Sequence, residues 1–417
     1  MDLYKKIDKC RLCNTHLSSN TVALNLGNQY IIDFVTNKDY GNKAPLEVLL
    51  CPNCYLAQLK HEVRREHMYN NYWYRSGISQ TMRDALRDIV ESATAHKPLK
   101  ALDVVLDIGA NDGTLLRNYG TAITTIGFEP ATNLIADALV GGNLIVNDYF
   151  SLESWNSYGI TKGLSKPKII TSIACFYDVS NPLKFAQDIH ELLEEGGIWI
   201  NQLNIISSIF PDNAFEFCSH EHILYLNILT MSTICRMANL EVFHIKLLPL
   251  NGGTARFYIG HKGQHTILES VERLSKEEEL GHYNSLEVWK DLEQRVKAVG
   301  KQLKDFITDS SRDGFTTAVY GASTRGNTLL QYYDLDHQLL PYAIDRDSNK
   351  HGKYMVGTKI PIISEEEGIV RNPDFLLVLP YSYITEIADR LHNTLQYNGV
   401  LIKPLPRLEL LYPKRTK

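Results

Sequence analysis

The chain is predicted to be an α/β protein in four parts: a small cysteine module, a Rossmann-like α/β unit, a helical linker and a second Rossmann-like α/β unit. Three observations predict it. Two C-x-x-C pairs, Cys10-Arg11-Leu12-Cys13 and Cys51-Pro52-Asn53-Cys54, lie near the N-terminus. An apolar strand over 104–108 runs into the turn Gly109-Ala110-Asn111-Asp112-Gly113, and strands then alternate with helices. A second strand over 317–320 meets another glycine turn, Gly321-Ala322-Ser323-Thr324-Arg325-Gly326-Asn327. At 417 residues the chain is too long for one core. The expected parts are 1–70, 71–260, 261–312 and 313–417.

In the first part, a C-x-x-C turn lets two thiolates reach two corners of a tetrahedron, and two such turns complete a four-thiolate Zn²⁺ site. Cys10, Cys13, Cys51 and Cys54 are the predicted ligands. Four thiolates leave zinc no open position, so its role is structural. Cys175, Cys218 and Cys235 are scattered singly, which suits a reducing compartment.

The second part begins with a helix that Ser79 could cap, running through Glu91 with Met82, Leu86, Ile89 and Val90 on one face. Strands follow at 104–108, 124–129, 144–146, 168–173 and 198–203, with an amphipathic helix over 183–193 that ends at Gly196-Gly197. This reads as a doubly wound parallel sheet, whose ligands bind at the carboxyl ends of the strands. The glycines at 109 and 113 let backbone pass close to a ligand, and Glu129, twenty residues beyond Gly109, suits a ribose diol. A pyrophosphate cradle wants G-x-G-x-x-G. Here there are two glycines and Asp112, which repels phosphate, so S-adenosylmethionine (SAM) fits better than a dinucleotide. An ordinary α/β turn without ligand is the plain alternative.

Residues 267–307 read as charged helix broken near Gly281, with Asn284 and Glu287 as a capping box. Leu286, Trp289, Leu292, Val296, Val299, Leu303 and Phe306 recur at steps of three and four, one apolar stripe for packing on a neighbouring domain or subunit. In the last part the helix is expected to open at Thr328, after the 321–327 turn, and a strand over 339–344 leads to Asp345. Backbone N–H groups at that helix start, with Arg325 beside them, favour a diphosphate. Asp345 could reach a ribose or sugar, or could cap the turn at Asp347-Ser348-Asn349.

The net charge of −5 argues against a broad hold on nucleic acid or anionic membrane. Residues 1–10 lack the apolar core of a signal peptide and no apolar run approaches spanning length, so a cytoplasmic location is expected.

The zinc knuckles, the 107–113 turn, His220-Glu221-His222, Asn251-Gly252-Gly253-Thr254-Ala255-Arg256 and the 321–327 turn together resemble the deoxysugar C-methyltransferases. The resemblance spans nearly the whole chain. It implies a SAM-dependent enzyme that methylates a carbon of a nucleotide-diphosphate-linked keto-deoxysugar, with dTDP as the expected carrier, bound between the domains. It implies that Asp107, Gly109, Asn111, Gly113 and Glu129 line the SAM site, with Asn147, Asp148 and Tyr149 near the adenine. It makes His222 the general base, Glu221 or His220 its partner, and Tyr74 the preferred donor to the enolate, with Tyr177 and Tyr225 as alternatives. Gly321, Ser323, Arg325, Asn327 and Asp345 would meet the nucleotide-sugar. Three positions depart from the family pattern: Ser219 for a tyrosine, the segment Ala174-Cys175-Phe176-Tyr177 for one with a histidine, and Asn251 for a histidine.

From the residues alone, His220-Glu221-His222 could equally be a satisfied polar cluster or, in a strand, a pair of histidines on one face holding a metal. Tyr69, Tyr72, Trp73 and Tyr74 could be an aromatic packing cluster. Carbon methylation needs a base to remove a proton α to a ketone and donors to hold the enolate oxygen. An O- or N-methyltransferase on a similar sugar could use the same histidine. A nucleotide-sugar oxidoreductase lacks a supporting Tyr-x-x-x-Lys pair, and a binding-only protein would hold SAM without turnover.

Overall fold

In the computed structural model, residues 2–69, 72–158 and 163–413 are described. The expected division between residues 70 and 71 lies outside them.

Alternating apolar residues fold the N-terminal part as an antiparallel sheet of Val22–Tyr30, Lys43–Leu50 and Ala57–Leu59. A fourth strand, Leu224–Tyr225, comes from the middle of the chain and pairs with Ala57–Leu59. The module also reaches the C-terminal part, because Phe34–Val35 pairs antiparallel with Tyr354–Met355 and Tyr30 N–H donates to Gln331 Oε1 at 2.7 Å.

The central sheet has seven strands in the order Leu240–Leu248, Thr254–His261, Ile198–Leu203, Ile169–Ile173, Val104–Ile108, Thr124–Phe128, Leu144–Val146. The last five are parallel, as the alternation of strands with helices predicts. The first two form an antiparallel hairpin on the edge, an addition to the all-parallel sheet expected. The chain winds outward from Val104–Ile108 to Leu144–Val146, then crosses to Ile169–Ile173 on the other side. That reversal opens a crevice beyond the carboxyl ends of these two neighbouring strands. Gly109, at φ +74°, turns the chain there, and a Cβ on it would lie 3.1 Å from Cys175 Cβ across the gap. The helix before the sheet, Gln80–His96, outlasts its expected end by a turn and buries Met82, Leu86, Ile89, Val90 and Ala93.

The linker helices are Glu269–Leu280 and Leu286–Arg312. Ser285, not Asn284, caps the second, accepting from Val288 N–H at 3.3 Å. Asn284 instead bonds the Asn227 side chain. The apolar stripe packs within the chain: Trp289 meets Phe210 edge-on at 4.7 Å, and Gly300 lies against the Tyr333 ring, whose hydroxyl donates to Val296 O at 3.0 Å.

The C-terminal sheet runs Ile362–Ile363, Ala343–Ile344, Thr317–Tyr320, Phe375–Val378, Val400–Lys403, Glu409–Leu411, the last strand antiparallel. Its strand before Asp345 is only Ala343–Ile344, shorter than expected. Its first helix, Thr324–Tyr332, starts inside the glycine motif because Ser323 Oγ accepts from Gly326 N–H at 3.0 Å. A single apolar cluster runs through all four parts, from Leu24 through Leu106, Trp199 and Trp289 to Leu329 and Leu405. Among the described residues no helix is long and apolar enough to cross a membrane.

Candidate active site

The four N-terminal cysteines converge. Their Sγ atoms all lie within 4.8 Å of one another, with Cys10 to Cys54 and Cys13 to Cys51 at 3.5 Å. Zn–S bonds of about 2.3 Å set tetrahedral S···S edges of about 3.8 Å, so the quartet fits one zinc ion. Gln58 Nε2 donates to Cys10 Sγ at 3.2 Å, an outer contact that orients a ligand.

At the crevice of the central sheet lies a cavity of about 320 Å³. Asp107, Gly109, Asn111 and Glu129 line it from the strand ends, and Asp148 and Tyr149 from the loop after Leu144–Val146. Glu129 is buried. Its Oε2 accepts from Asn111 N–H at 2.8 Å and its Oε1 from Ala131 N–H at 2.7 Å. Each oxygen keeps a lone pair, so the carboxylate can still accept from two ribose hydroxyls. Burial raises its pKa, and it pushes Asp107 up to about 7 although Thr171 Oγ donates to that carboxyl at 2.6 Å. Asn111, at φ +52°, accepts from Ser76 N–H at 2.9 Å, and Asp112 accepts from Gly77 N–H at 2.7 Å. The turn is thereby stapled to the segment ahead of the first helix.

Gly113 and Asn147 do not line the cavity. Gly113, at φ +75°, permits close packing, since a Cβ there would lie 2.7 Å from Ala138 O. Asn147 Nδ2 donates to Glu129 O at 2.8 Å and so shapes the loop.

His222 and Glu221 line the same cavity, while His220 turns away, its Nε2 bonding Ala44 O at 3.1 Å. The three residues stand in irregular chain before Leu224–Tyr225, so the histidines share no strand face. His222 Nδ1 lies 2.7 Å from Phe217 O. A carbonyl only accepts, so Nδ1 carries the proton and Nε2 is left with a free lone pair. The orienting partner is therefore Phe217 O rather than Glu221 or His220. The ring lies 4.2 Å from Tyr177 and 4.3 Å from Phe217, and burial holds its pKa down to about 3, so it stays neutral. Tyr74 and Tyr177 also line the cavity, Tyr74 with 46 % of its surface exposed. Tyr225 is buried in the N-terminal sheet and does not.

From the C-terminal motif only Thr324 and Arg325 reach the cavity. Arg325 already has an anion: Nη2 donates to Glu216 Oε1 at 2.8 Å, and Tyr381 OH donates to the same oxygen at 2.7 Å. Its Nη1 donates to Asn251 O at 3.3 Å. Through these contacts Arg325 ties the C-terminal helix to the central part, while its buried Nε has no hydrogen-bond partner among the described residues. Ser323 is spent on its cap, Asn327 Nδ2 donates to Val356 O at 3.1 Å, and Gly321 at φ +85° packs on Pro380. Asp345 accepts from Asp347 N–H at 2.8 Å and pairs with Lys350 Nζ at 3.2 Å, which is the turn-capping alternative.

Sequence reasoning missed Asp178, Asn204 and Glu216. Asp178 and Asn204 line the cavity just past the ends of strands Ile169–Ile173 and Ile198–Leu203, where the fold places ligand groups, so strand position was an available signal. Glu216 gives none, because its partners are 109 and 165 residues away in the chain.

Three family models match in succession: a zinc-binding domain over residues 10–69, a methyltransferase domain over 75–245 and a C-methyltransferase C-terminal domain over 249–406. The C-methyltransferase NovU of Streptomyces niveus is 25 % identical over 428 aligned positions, covering 100 % of this chain and 99 % of that one. A chain from the complex of the Haloferax volcanii Trm112 methyltransferase activator with a methyltransferase is 14 % identical and covers 44 % of this chain and 94 % of its own, at TM-score 0.34. The cyclopropane synthase MmaA2 of Mycobacterium tuberculosis is 11 % identical and covers 45 % and 89 %, also at TM-score 0.34. With a zinc quartet, a strand-end cavity suited to SAM and three successive domain matches, the chain belongs to the SAM-dependent C-methyltransferases that join a zinc-binding domain to a C-methyltransferase C-terminal domain.

Proposed function

We propose that the acceptor is a nucleotide-diphosphate-linked keto-deoxysugar, methylated at a carbon α to its ketone through an enolate that His222 generates. One observation carries this reading: a neutral histidine with a free Nε2 shares a single cavity with the Gly109 turn and Glu129. Bound SAM supplies an electrophilic methyl group on its sulfonium. His222 Nε2 takes the α-proton, and Phe217 O stabilises the resulting imidazolium through Nδ1–H. The hydroxyls of Tyr74 and Tyr177 hold the developing oxyanion. Glu129 would hold the ribose of the cofactor, and Tyr149 and Phe150 would line the side of its base. A second pocket of about 150 Å³, lined by Asp33 and Trp73, shares Tyr72, Tyr74, Glu221 and Thr324 with the cavity and gives the rest of the acceptor room.

The test is turnover of SAM with dTDP-linked 4-keto-deoxysugars in heavy water. Wild-type protein should exchange the α-proton and methylate that carbon. His222→Ala should lose both by roughly 10²–10⁴-fold while keeping its SAM affinity. Methylation at oxygen or nitrogen without α-exchange would replace this reading with the simpler transfer.

A further inference from the structure

The loop Asn251-Gly252-Gly253 links the two strands of the edge hairpin, and Asn251 lines the cavity. Asn251 stands in the left-handed region at φ +53°, ahead of two glycines at +83° and +108°. A residue other than glycine keeps such a conformation where its surroundings fix it, and these places gather at functional sites. Here two parts of the molecule fix it. The Asn251 carbonyl accepts from Asn204 Nδ2 at 3.2 Å and from Arg325 Nη1 at 3.3 Å. The first donor follows the central strand Ile198–Leu203, and the second lies in the first turn of the C-terminal helix Thr324–Tyr332.

The side chain is held as well. Asn251 Oδ1 accepts from the hydroxyl of Tyr383, a second contact from the C-terminal part. Its Nδ2 has no acceptor among the described residues, and Asn251 is half-buried rather than sealed off. An amide whose oxygen is committed to the protein and whose N–H groups are not keeps two donors for whatever fills the cavity. The candidate base is close by. Arg325, which holds the Asn251 carbonyl, lies over the Phe217 ring at 5.2 Å, and Phe217 packs on the His222 ring at 4.3 Å and takes its Nδ1–H.

We propose that the Asn251 amide donates to the ketone oxygen of the acceptor and to the oxyanion that forms there. This rests on the keto-sugar reading above and adds a catalytic donor from the hairpin loop. When His222 Nε2 takes the α-proton, the C–H electron pair becomes the enolate double bond and the carbonyl π pair moves onto the oxygen. The oxygen pair then re-forms the ketone as the double-bond pair attacks the methyl carbon and the methyl–sulfur bond breaks. A donor fixed before the charge appears stabilises it without reorganisation, and Tyr383 and Arg325 fix this one.

The experiment follows a dTDP-linked 4-keto-deoxysugar in heavy water, as α-proton exchange with S-adenosylhomocysteine bound and as methylation with SAM. It compares wild type with Asn251→Asp, Asn251→Gly and Tyr383→Phe. Aspartate tolerates the same backbone and still accepts from Tyr383 but cannot donate, while glycine keeps the backbone and removes the side chain. Both should lower kcat and the exchange rate by roughly 10²–10³-fold with S-adenosylhomocysteine affinity unchanged. Tyr383→Phe, which frees the amide to rotate, should lose less in the same two rates. Near-wild-type rates in either Asn251 variant overturn the inference. A loss confined to KM for the sugar also overturns it, by placing the amide on a part of the acceptor remote from the chemistry, and loss of S-adenosylhomocysteine affinity does so by assigning it to the cofactor. A wild-type protein that neither exchanges nor methylates the compound overturns both this inference and the keto-sugar reading.

Discussion

Arg325→Ala tests whether the arginine is a structural tie. In the folded chain Glu216 is 2 % exposed and Arg325 27 %, with their charged atoms 2.8 Å apart. Removing one member of a buried pair costs about 3–5 kcal/mol, because the other charge is stranded. Here Tyr381 goes on donating to Glu216 and Arg325 keeps some solvent, so about 2–3 kcal/mol is expected. That corresponds to a fall in Tm of roughly 2–4 °C for a chain of 417 residues. Glu216→Gln removes the stranded charge and keeps an acceptor for Tyr381, so the double variant Arg325→Ala/Glu216→Gln should recover more than half of the loss. Scanning calorimetry on wild type, both single variants and the double variant, at one pH and salt concentration, completes the cycle. A single variant as stable as wild type, or a double variant whose losses merely add, would refute the tie and return Arg325 to the substrate.

Stripping zinc with a chelator, or Cys10→Ser, should unfold the N-terminal sheet and lower activity with it, since Leu224–Tyr225, two residues from His222, pairs in that sheet; circular dichroism and elemental analysis at one zinc per chain check this. Glu129→Ala should weaken SAM and S-adenosylhomocysteine alike by calorimetry, and more than Glu129→Gln, which can still accept from one of the Asn111 and Ala131 N–H groups; unchanged affinities would remove Glu129 from the site. Asp107→Asn should stabilise the ligand-free protein, and the sign follows from linkage. The folded pKa of about 7 exceeds the ordinary 3.8, so the unfolded chain binds fewer protons between those values and wild-type stability falls as pH rises through that window. The gain should therefore be absent near pH 4 and grow to its full size above pH 7 in urea titrations; a gain that is flat with pH would show that Asp107 does not titrate there.

Local pattern carried much of this protein into the open. The C-x-x-C spacing named the zinc ligands, because two thiolates on one tight turn are a short-range arrangement. The strands Val104–Ile108, Leu144–Val146 and Ile198–Leu203 agree with the structure to the residue, because short, mainly apolar runs bounded by glycine or polar turns mark sheet strands. Helix starts were less legible. Thr324–Tyr332 begins within its glycine motif, and Ser285 displaced Asn284 as a cap, since several neighbouring residues could supply the same hydrogen bond and packing chose among them.

The cavity wall was a tertiary decision. Sequence placed His220, Glu221 and His222 together, but the Phe217 carbonyl and the packing of Tyr177 decided that His222 faces the cavity while His220 bonds Ala44. Asp345 and Arg325 carry the right chemistry for a nucleotide, and the fold gives them the partners Lys350 and Glu216, which no local pattern announces. A side chain's charge and hydrogen-bonding capacity are written in its identity, but what satisfies them in a folded chain is whichever group arrives nearest, and Glu216 reaches Arg325 across 109 residues that no local rule connects.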